Sequence, residues 1–350
     1  MTNPVAVFRT SASSAIGGGH IIRCLALADE LAAHGWFCVI ACGSQTPETI
    51  PSVGQNHPVF LIDEENQLNE PYSISEFLGG IADLMVIDHY HRGLAFETAC
   101  RQFSNKIMVI EDLPNRRHDA DVLLDQSGGR VAKEYLGLVP ERCEFFIGPH
   151  YALLRQAFRR EPSLLTGDAS KKPFRVFVSM GATDETNLTG QVIQTINKNV
   201  KDVKIDVLIS GNAPHIDQLK TFVDTSGEVS LHVDIADPVS IMANADLAVG
   251  AAGINLWERC ALGIPSLIVI NAENQIANAH HVADAGGGWI VGSDGVIDDT
   301  ALSRALNTLP ADRSKLKKMS IAARIICDGS GAKRVANCLE ERMEGPRNSR

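Results

Sequence analysis

Residues 4–41 read PVAVFRTSASSAIGGGHIIRCLALADELAAHGWFCVIA. Residues 4–8 (PVAVF) are a short apolar, β-branched run, which predicts a buried strand. Residues 9–20 are polar and rich in serine and glycine, which predicts a loop. From His20 to His34 the apolar residues fall at 21, 22, 25, 27, 28, 31 and 32, the spacing of one helix face. Gly35 then ends the helix as its C′ residue. Residues 36–41 return to an apolar strand pattern. A strand, a glycine-rich turn, a helix and a second strand in this order make a parallel βαβ unit, so the rest of the chain is read for repeats of it.

The alternation continues on both sides of a polar segment. Strands are predicted at 59–62, 84–88, 107–110, 122–125 and 145–147, with helices near 74–79 and 94–103. Residues 160–172 (REPSLLTGDASKK) read as a linker. Beyond it, strands are predicted at 174–179, 203–209, 229–233, 247–250 and 266–270. Helices are predicted at 187–197, 215–222, 238–243, 255–262, 276–285, 300–306, 314–326 and 332–342. The expected fold class is α/β, with two Rossmann-like domains facing across a cleft. Their expected bounds are 1–160 and 173–344, and the tail after 344 reads as disordered.

Composition narrows the function. With 45% hydrophobic and 21% charged residues, a chain of 350 can bury the cores of about two domains. There are 32 basic against 42 acidic residues, a formal charge of -10. A protein gripping nucleic acid through its general surface is basic instead, so nucleic acid is excluded as a partner and any anionic ligand needs a local site. The longest apolar runs, at 264–270 and 247–252, fall short of the ~18 residues of a membrane span. No leader pattern is visible, and the expectation is a cytoplasmic protein without a membrane partner. The eight cysteines include no CxxC and mostly sit in apolar stretches, which predicts free buried thiols.

In parallel sheets, ligands bind beyond the carboxyl ends of the strands, so loops after strands are where chemistry is sought. Residues 9–20 place Gly17, Gly18 and Gly19 before a helix start, where backbone N–H groups attract anions. His20 at that start is a candidate general base. Residues 86–90 (VIDHY) end a strand in Asp88 and Tyr90; capping and packing are the plain alternatives. Residues 111–125 carry two acids and His118 without the HExxH spacing, so no metal site is expected. Residues 179–187 (SMGATDETN) offer Gly181 and Ala182 for an anion, or simply a helix cap. Residues 250–275 repeat the phosphate-friendly geometry at Gly250, Ala252 and Gly253. Glu258, one turn into the following helix, suits the two hydroxyls of a ribose. Glu273, Asn274 and Gln275 open the next helix.

These segments carry a resemblance. Arg9–Arg23 resembles an R-x-D-x-S-x-x-I-G-x-G-H-x-x-R signature, and residues 87–90, 111–118, 123–126, 148–155, 179–189, 250–275 and 328–335 continue it in order. In these the chain resembles the UDP-sugar hydrolases of pseudaminic acid biosynthesis, which hydrolyse UDP-2,4-diacetamido-2,4,6-trideoxy-β-L-altropyranose. The resemblance implies a fold like that of the glycosyltransferase-B enzymes and a small-molecule UDP-sugar as substrate, with no cofactor. It implies His20 as the base, Tyr90 and Asn274 beside it, and Glu258 on the ribose. Arg9, Arg23 and Asp88 fall in the matched segments and are expected to line the substrate. The signature acid two residues after the arginine is Ser11 here. The expected reaction is hydrolysis with inversion at the anomeric carbon. The alternative is a UDP-sugar-dependent glycosyltransferase on the same frame. A non-catalytic sensor would need the base to be missing.

Overall fold

The computed structural model describes residues 3–13, 16–64, 66–159, 173–181, 184–235 and 237–343. They form two seven-stranded sheets, each in its own unit. The first sheet is built from β1 (Val5–Thr10), β2 (Phe37–Gly43), β3 (Val59–Ile62), β4 (Ala82–Asp88), β5 (Ser104–Ile110), β6 (Val122–Asp125) and β7 (Glu144–Ile147). Its order is β3-β2-β1-β4-β5-β6-β7, all parallel. The direction of winding reverses between β1 and β4, and side chains at the carboxyl ends of those two strands face the crevice where such sheets bind ligands.

The second sheet repeats the plan with β8 (Phe174–Ser179), β9 (Val203–Ile209), β10 (Val229–Val233), β11 (Leu247–Ala251), β12 (Ser266–Val269), β13 (Gly288–Ser293) and β14 (Val296–Ile297). The order is β10-β9-β8-β11-β12-β13-β14, with only β13 and β14 antiparallel. Here the reversal lies between β8 and β11. The expectation of two α/β units is therefore borne out. β13 and β14 are additions to the predicted strands. Residues 286–288 are three successive glycines, which blur a strand pattern. The structure needs two glycines in β13 itself: a Cβ on Gly288 would meet the Ser266 carbonyl at 2.6 Å, and one on Gly292 the Val296 carbonyl at 2.5 Å.

Burial on both faces explains the continuous apolar strands. One face of the first sheet packs Phe8, Val86 and Met108 against Ile21, Leu27 and Leu31 of the helix Gly19–Ala33. The opposite face packs Val7, Met85 and Ile107 against Ile74, Phe96 and Cys100.

The division of the chain corrects the expected bounds. The first unit comprises residues 1–156 together with 330–350, and the second 157–329. The final helix, Gly331–Met343, was expected in the 173–344 domain. Its apolar face (Ala332, Val335, Ala336, Leu339) joins the core beneath Leu27 and Leu31 in the first unit. His34 Nδ1 lies 2.6 Å from Glu340 Oε2 on the outer edge of that packing. Residues 160–172 and the tail after 344 lie outside the described residues. Seven of the eight cysteines are buried and all eight are free. No described helix is long and apolar enough to cross a membrane.

Candidate active site

The register of β4 against β1 sets Asp88 beside Thr10 at the strand ends. The helix Gly19–Ala33 begins above them. Gly17 turns the chain into it with φ +71°, a left-handed conformation that glycine adopts without strain. His20 and Arg23 are three residues apart, so they share the inner face of that helix.

The result is a buried polar cluster. His20 Nδ1 lies 2.6 Å from Asp88 Oδ1. Arg23 donates to both Asp88 oxygens, from Nε at 2.6 Å and Nη2 at 2.7 Å. The same guanidinium donates to both oxygens of Asp112, from Nη1 at 2.7 Å and Nη2 at 3.1 Å. Tyr90 donates its hydroxyl to Asp112 Oδ2 at 3.0 Å, and its ring meets the His20 ring edge-on at 4.9 Å. Burial would raise the Asp88 carboxyl, but the Arg23 guanidinium and His20 hold it well below the usual carboxylate range. Asp112 is lowered by Arg23 against the same burial. An ionised Asp88 can only accept, so the Nδ1 proton of His20 points at it and the Nε2 lone pair is left for chemistry. A carboxylate–histidine pair of this kind can take a proton from water.

Ser11, the departure from the signature, is compensated from another loop. Glu64, two residues past β3, accepts from the Ser11 hydroxyl at 2.6 Å and from Arg9 Nη2 at 2.9 Å. Gly43 makes room for it: a Cβ there would meet Glu64 Oε2 at 2.0 Å. Arg9 is wholly buried and also pairs with Glu70, which Arg92 grips at 2.9 and 2.6 Å. Burial opposes ionisation of Glu64, but the Ser11 hydroxyl and Arg9 bring it below its ordinary value. Ser11→Asp therefore brings a second carboxylate against Glu64. We expect a loss of about 1–2 kcal/mol in denaturant unfolding, recovered when Glu64→Ala is added. Equal losses in the single and double variants would contradict the compensation.

The third segment divides its acids between two tasks. Asp112 faces Arg23, whereas Glu111 turns inward, with its Oε2 2.7 Å from Arg116 and 3.2 Å from His118 Nε2. His118 Nδ1 lies 2.7 Å from Glu97. Burial would lower His118, but Glu111 and Glu97 outweigh it and push it up to about 9. Because the folded value is raised, this ion pair stabilises in full below the ordinary value of 6.5 and is lost as the pH rises through about 9. Unfolding measured from neutral pH to about 9 is expected to show that loss, and His118→Gln to abolish its pH dependence.

In the second unit, the turn Gly250–Gly253 links β11 to the helix Ile254–Ala261. Several residues expected to touch a ligand instead hold this turn. Gln275 Oε1 accepts from Ala252 N and from Asn271 N, both at 3.1 Å. Asn278 donates to the Ala252 carbonyl at 3.1 Å. The Ala252 N–H is thus engaged inside the protein. Gly250 is a buried strand residue whose missing Cβ makes room for Arg259 and for the Ser179 carbonyl, not for a ligand. Gly253 caps the helix with extended backbone. Glu258 is buried, not a solvated helix-face acid, and accepts from Asn255 Nδ2 at 2.8 Å. Glu273 is exposed and Asn274 half-buried, both in a short 3-10 turn after β12. Gly181 follows β8 with φ +103°; Ala182 lies outside the described residues.

Thus His20, Arg23, Asp88 and Tyr90 come together in the first unit. Arg9 lies in a neighbouring ion-pair network with Glu64. Gly250, Ala252, Gly253, Glu258 and Gln275 surround one turn in the second. Glu64 and Arg259 were not among the candidates, and Asp112 was read only as one of two acids after a strand. Asp112 and Glu64 each follow a strand end, the signal that picked out the others.

Residues 175–338 match the glycosyltransferase family 28 C-terminal domain. That match covers β8 to β14 of the second unit and runs on into the final helix. A UDP-2,4-diacetamido-2,4,6-trideoxy-beta-L-altropyranose hydrolase from Campylobacter jejuni is 28% identical over 80% of this chain and 96% of its own. The resemblance read from the sequence is to this same enzyme. A UDP-N-acetylglucosamine–N-acetylmuramyl-(pentapeptide) pyrophosphoryl-undecaprenol N-acetylglucosamine transferase from Paracidovorax citrulli is 27% identical over 97% of this chain and 99% of its own. Among solved structures, Acinetobacter baumannii MurG superposes with a TM-score of 0.66 at 17% identity, covering 97% of this chain and 100% of that one. The chain has the two-domain α/β fold of the glycosyltransferase-B enzymes.

Proposed function

We propose that the protein hydrolyses a UDP-sugar, releasing UDP and the free sugar with inversion at the anomeric carbon. UDP-2,4-diacetamido-2,4,6-trideoxy-β-L-altropyranose is the substrate we assign, on the likeness to the Campylobacter hydrolase. The observation that carries the reading is the anchoring of His20 Nδ1 on Asp88 at 2.6 Å, which leaves Nε2 as a base.

In this reading the nucleotide belongs to the second unit. The first-turn N–H groups of the helix Ile254–Ala261 receive the diphosphate, since a helix start presents unsatisfied donors and positive potential. Glu258, steadied by Asn255, accepts from the ribose hydroxyls. His20 Nε2 removes a proton from water as the water oxygen bonds to the anomeric carbon. The bond from that carbon to the β-phosphate oxygen breaks, and UDP departs with the electron pair. UDP is a good leaving group once its charge is stabilised, so a second carboxylic acid of the glycosidase type is not needed. Tyr90 and Arg23 keep the histidine in place.

The alternative, transfer of the sugar to an alcohol acceptor, is favoured by the likeness to the N-acetylglucosamine transferase. A panel of UDP-sugars incubated without acceptor separates the two. The hydrolase reading predicts stoichiometric UDP and free sugar; turnover only on adding an alcohol acceptor would replace it. Glu258→Ala is expected to weaken UDP binding by about ten- to a hundredfold. Calorimetry giving an unchanged affinity would remove the ribose role.

A further inference from the structure

The second unit buries a cation that, among the described residues, no carboxylate grips in an ion pair. Arg259 is 0% exposed, on the helix Ile254–Ala261. Its Nη2 donates to the Ala251 carbonyl at 2.8 Å and its Nη1 to Asn255 Oδ1 at 3.3 Å. Its Nε is buried without a partner. Among the described residues none of its nitrogens forms an ion pair with an acid. Every other buried arginine with a role in the first unit (Arg9, Arg23, Arg92) is gripped by at least one carboxylate. Burial lowers the Arg259 guanidinium to about 10, only partly opposed by Cys260 and Glu258, so it stays charged near neutral pH. A buried charge without a counter-ion is costly, and replacing it by an apolar side chain of similar size would relieve that cost.

Its position is specific. A Cβ on Gly250 would come within 2.1 Å of Arg259 Nη1 and 2.5 Å of the Ser179 carbonyl. The guanidinium therefore occupies the space a side chain at 250 would take, between the carboxyl ends of β8 and β11. These are the two strands where the winding of this sheet reverses, the place where such sheets bind their ligands. Arg259 also draws the Ala251 carbonyl inward, so that this negative dipole end does not face the turn Gly250–Gly253.

We propose that Arg259 is the internal counter-charge for the diphosphate of the nucleotide, a positioning residue acting from beneath the turn without touching the ligand. This role rests on the nucleotide reading of the second unit. It explains how a chain of net charge -10 holds a dianion without a basic surface. Helix dipole and backbone donors supply direction, and the buried guanidinium supplies the full charge, in an interior where screening is weak.

The test titrates UDP and uridine into the wild-type protein, Arg259→Met and Arg259→Lys. Arg259→Met is expected to lose about tenfold or more in UDP affinity with uridine affinity unchanged, and Arg259→Lys to recover part of the loss. A folded Arg259→Met that binds UDP as the wild type does would overturn the proposal. So would equal losses for UDP and uridine, which mark a merely structural residue. Wild-type protein that binds uridine and UDP equally weakly would overturn the nucleotide reading as well, and is a distinct result. Should Arg259→Met not fold, the Nε–H resonance of Arg259 in the wild type, assigned by its loss in Arg259→Lys, decides. It is expected to shift with UDP and not with uridine; no shift with saturating UDP overturns the role.

Discussion

His20→Ala is expected to lower the kcat for UDP release by about a thousandfold and to leave UDP affinity unchanged. The magnitude is that of removing a positioned general base. The separation from binding follows from where the parts lie: His20 belongs to the first unit, whereas the proposed nucleotide contacts belong to the second. The substitution deletes the ring on which Tyr90 packs and takes one partner from Asp88 Oδ1, but Arg23 still donates to both oxygens of that carboxylate. The fold should therefore survive. Asp88→Asn is the companion variant. An asparagine can turn its N–H₂ toward Nδ1 and shift the imidazole proton to Nε2, which removes the base while keeping the ring in place. A loss comparable to that of His20→Ala is expected. Near-normal turnover in either would show that the base lies elsewhere.

Arg23→Met is expected to have the largest effect on stability. One guanidinium neutralises two carboxylates, Asp88 and Asp112, whose side chains are 1% and 11% exposed. Removing it leaves two buried like charges without the guanidinium that balances them. Breaking a buried ion pair by deleting one partner costs about 3–5 kcal/mol. That is a large share of the ~5–15 kcal/mol that holds a typical domain folded. The sign with pH follows from the lowered carboxyls of Asp88 and Asp112. In the wild type their contribution is present above the ordinary carboxylate range and is lost as the pH falls through their depressed values. In Arg23→Met the dependence should reverse, because protonation then relieves the repulsion. Denaturant unfolding at several pH values reads both effects. Adding Asp88→Asn and Asp112→Asn to Arg23→Met should recover part of the loss. A loss below about 1 kcal/mol would mean that water, not Arg23, balances the two acids.

The sheet strands were legible because parallel strands buried on both faces are continuous apolar runs. β3, β6, β8, β9 and β10 begin and end where the pattern does. β13 was not, since close backbone approach at Gly288 and Gly292 demands residues that resemble a loop. The final helix was placed in the wrong unit for a different reason: its periodicity shows that one face is buried but not against which core. At the site, Asp88 and Tyr90 were readable because they lie at a strand end, and His20 because it opens a helix after a glycine-rich loop. Glu64 was hidden in an acidic run, and its partner Ser11 looked like a loss until the fold brought the two within 2.6 Å. Arg259 sits one residue past Glu258, where a helix-face cation is unremarkable in sequence. Only the missing Cβ of Gly250 and the lack of an ion-pair partner among the described residues set it apart.

The claim at the centre of this account is that water, activated in the first unit, attacks the anomeric carbon of a UDP-sugar. Turnover of UDP-2,4-diacetamido-2,4,6-trideoxy-β-L-altropyranose in ¹⁸O-labelled water, without any acceptor, tests it most directly. The account predicts UDP free of the label, with ¹⁸O on the anomeric carbon of a sugar released initially as the inverted anomer. Label in the phosphate of UDP, a retained anomer, or no release until an acceptor is added would contradict it.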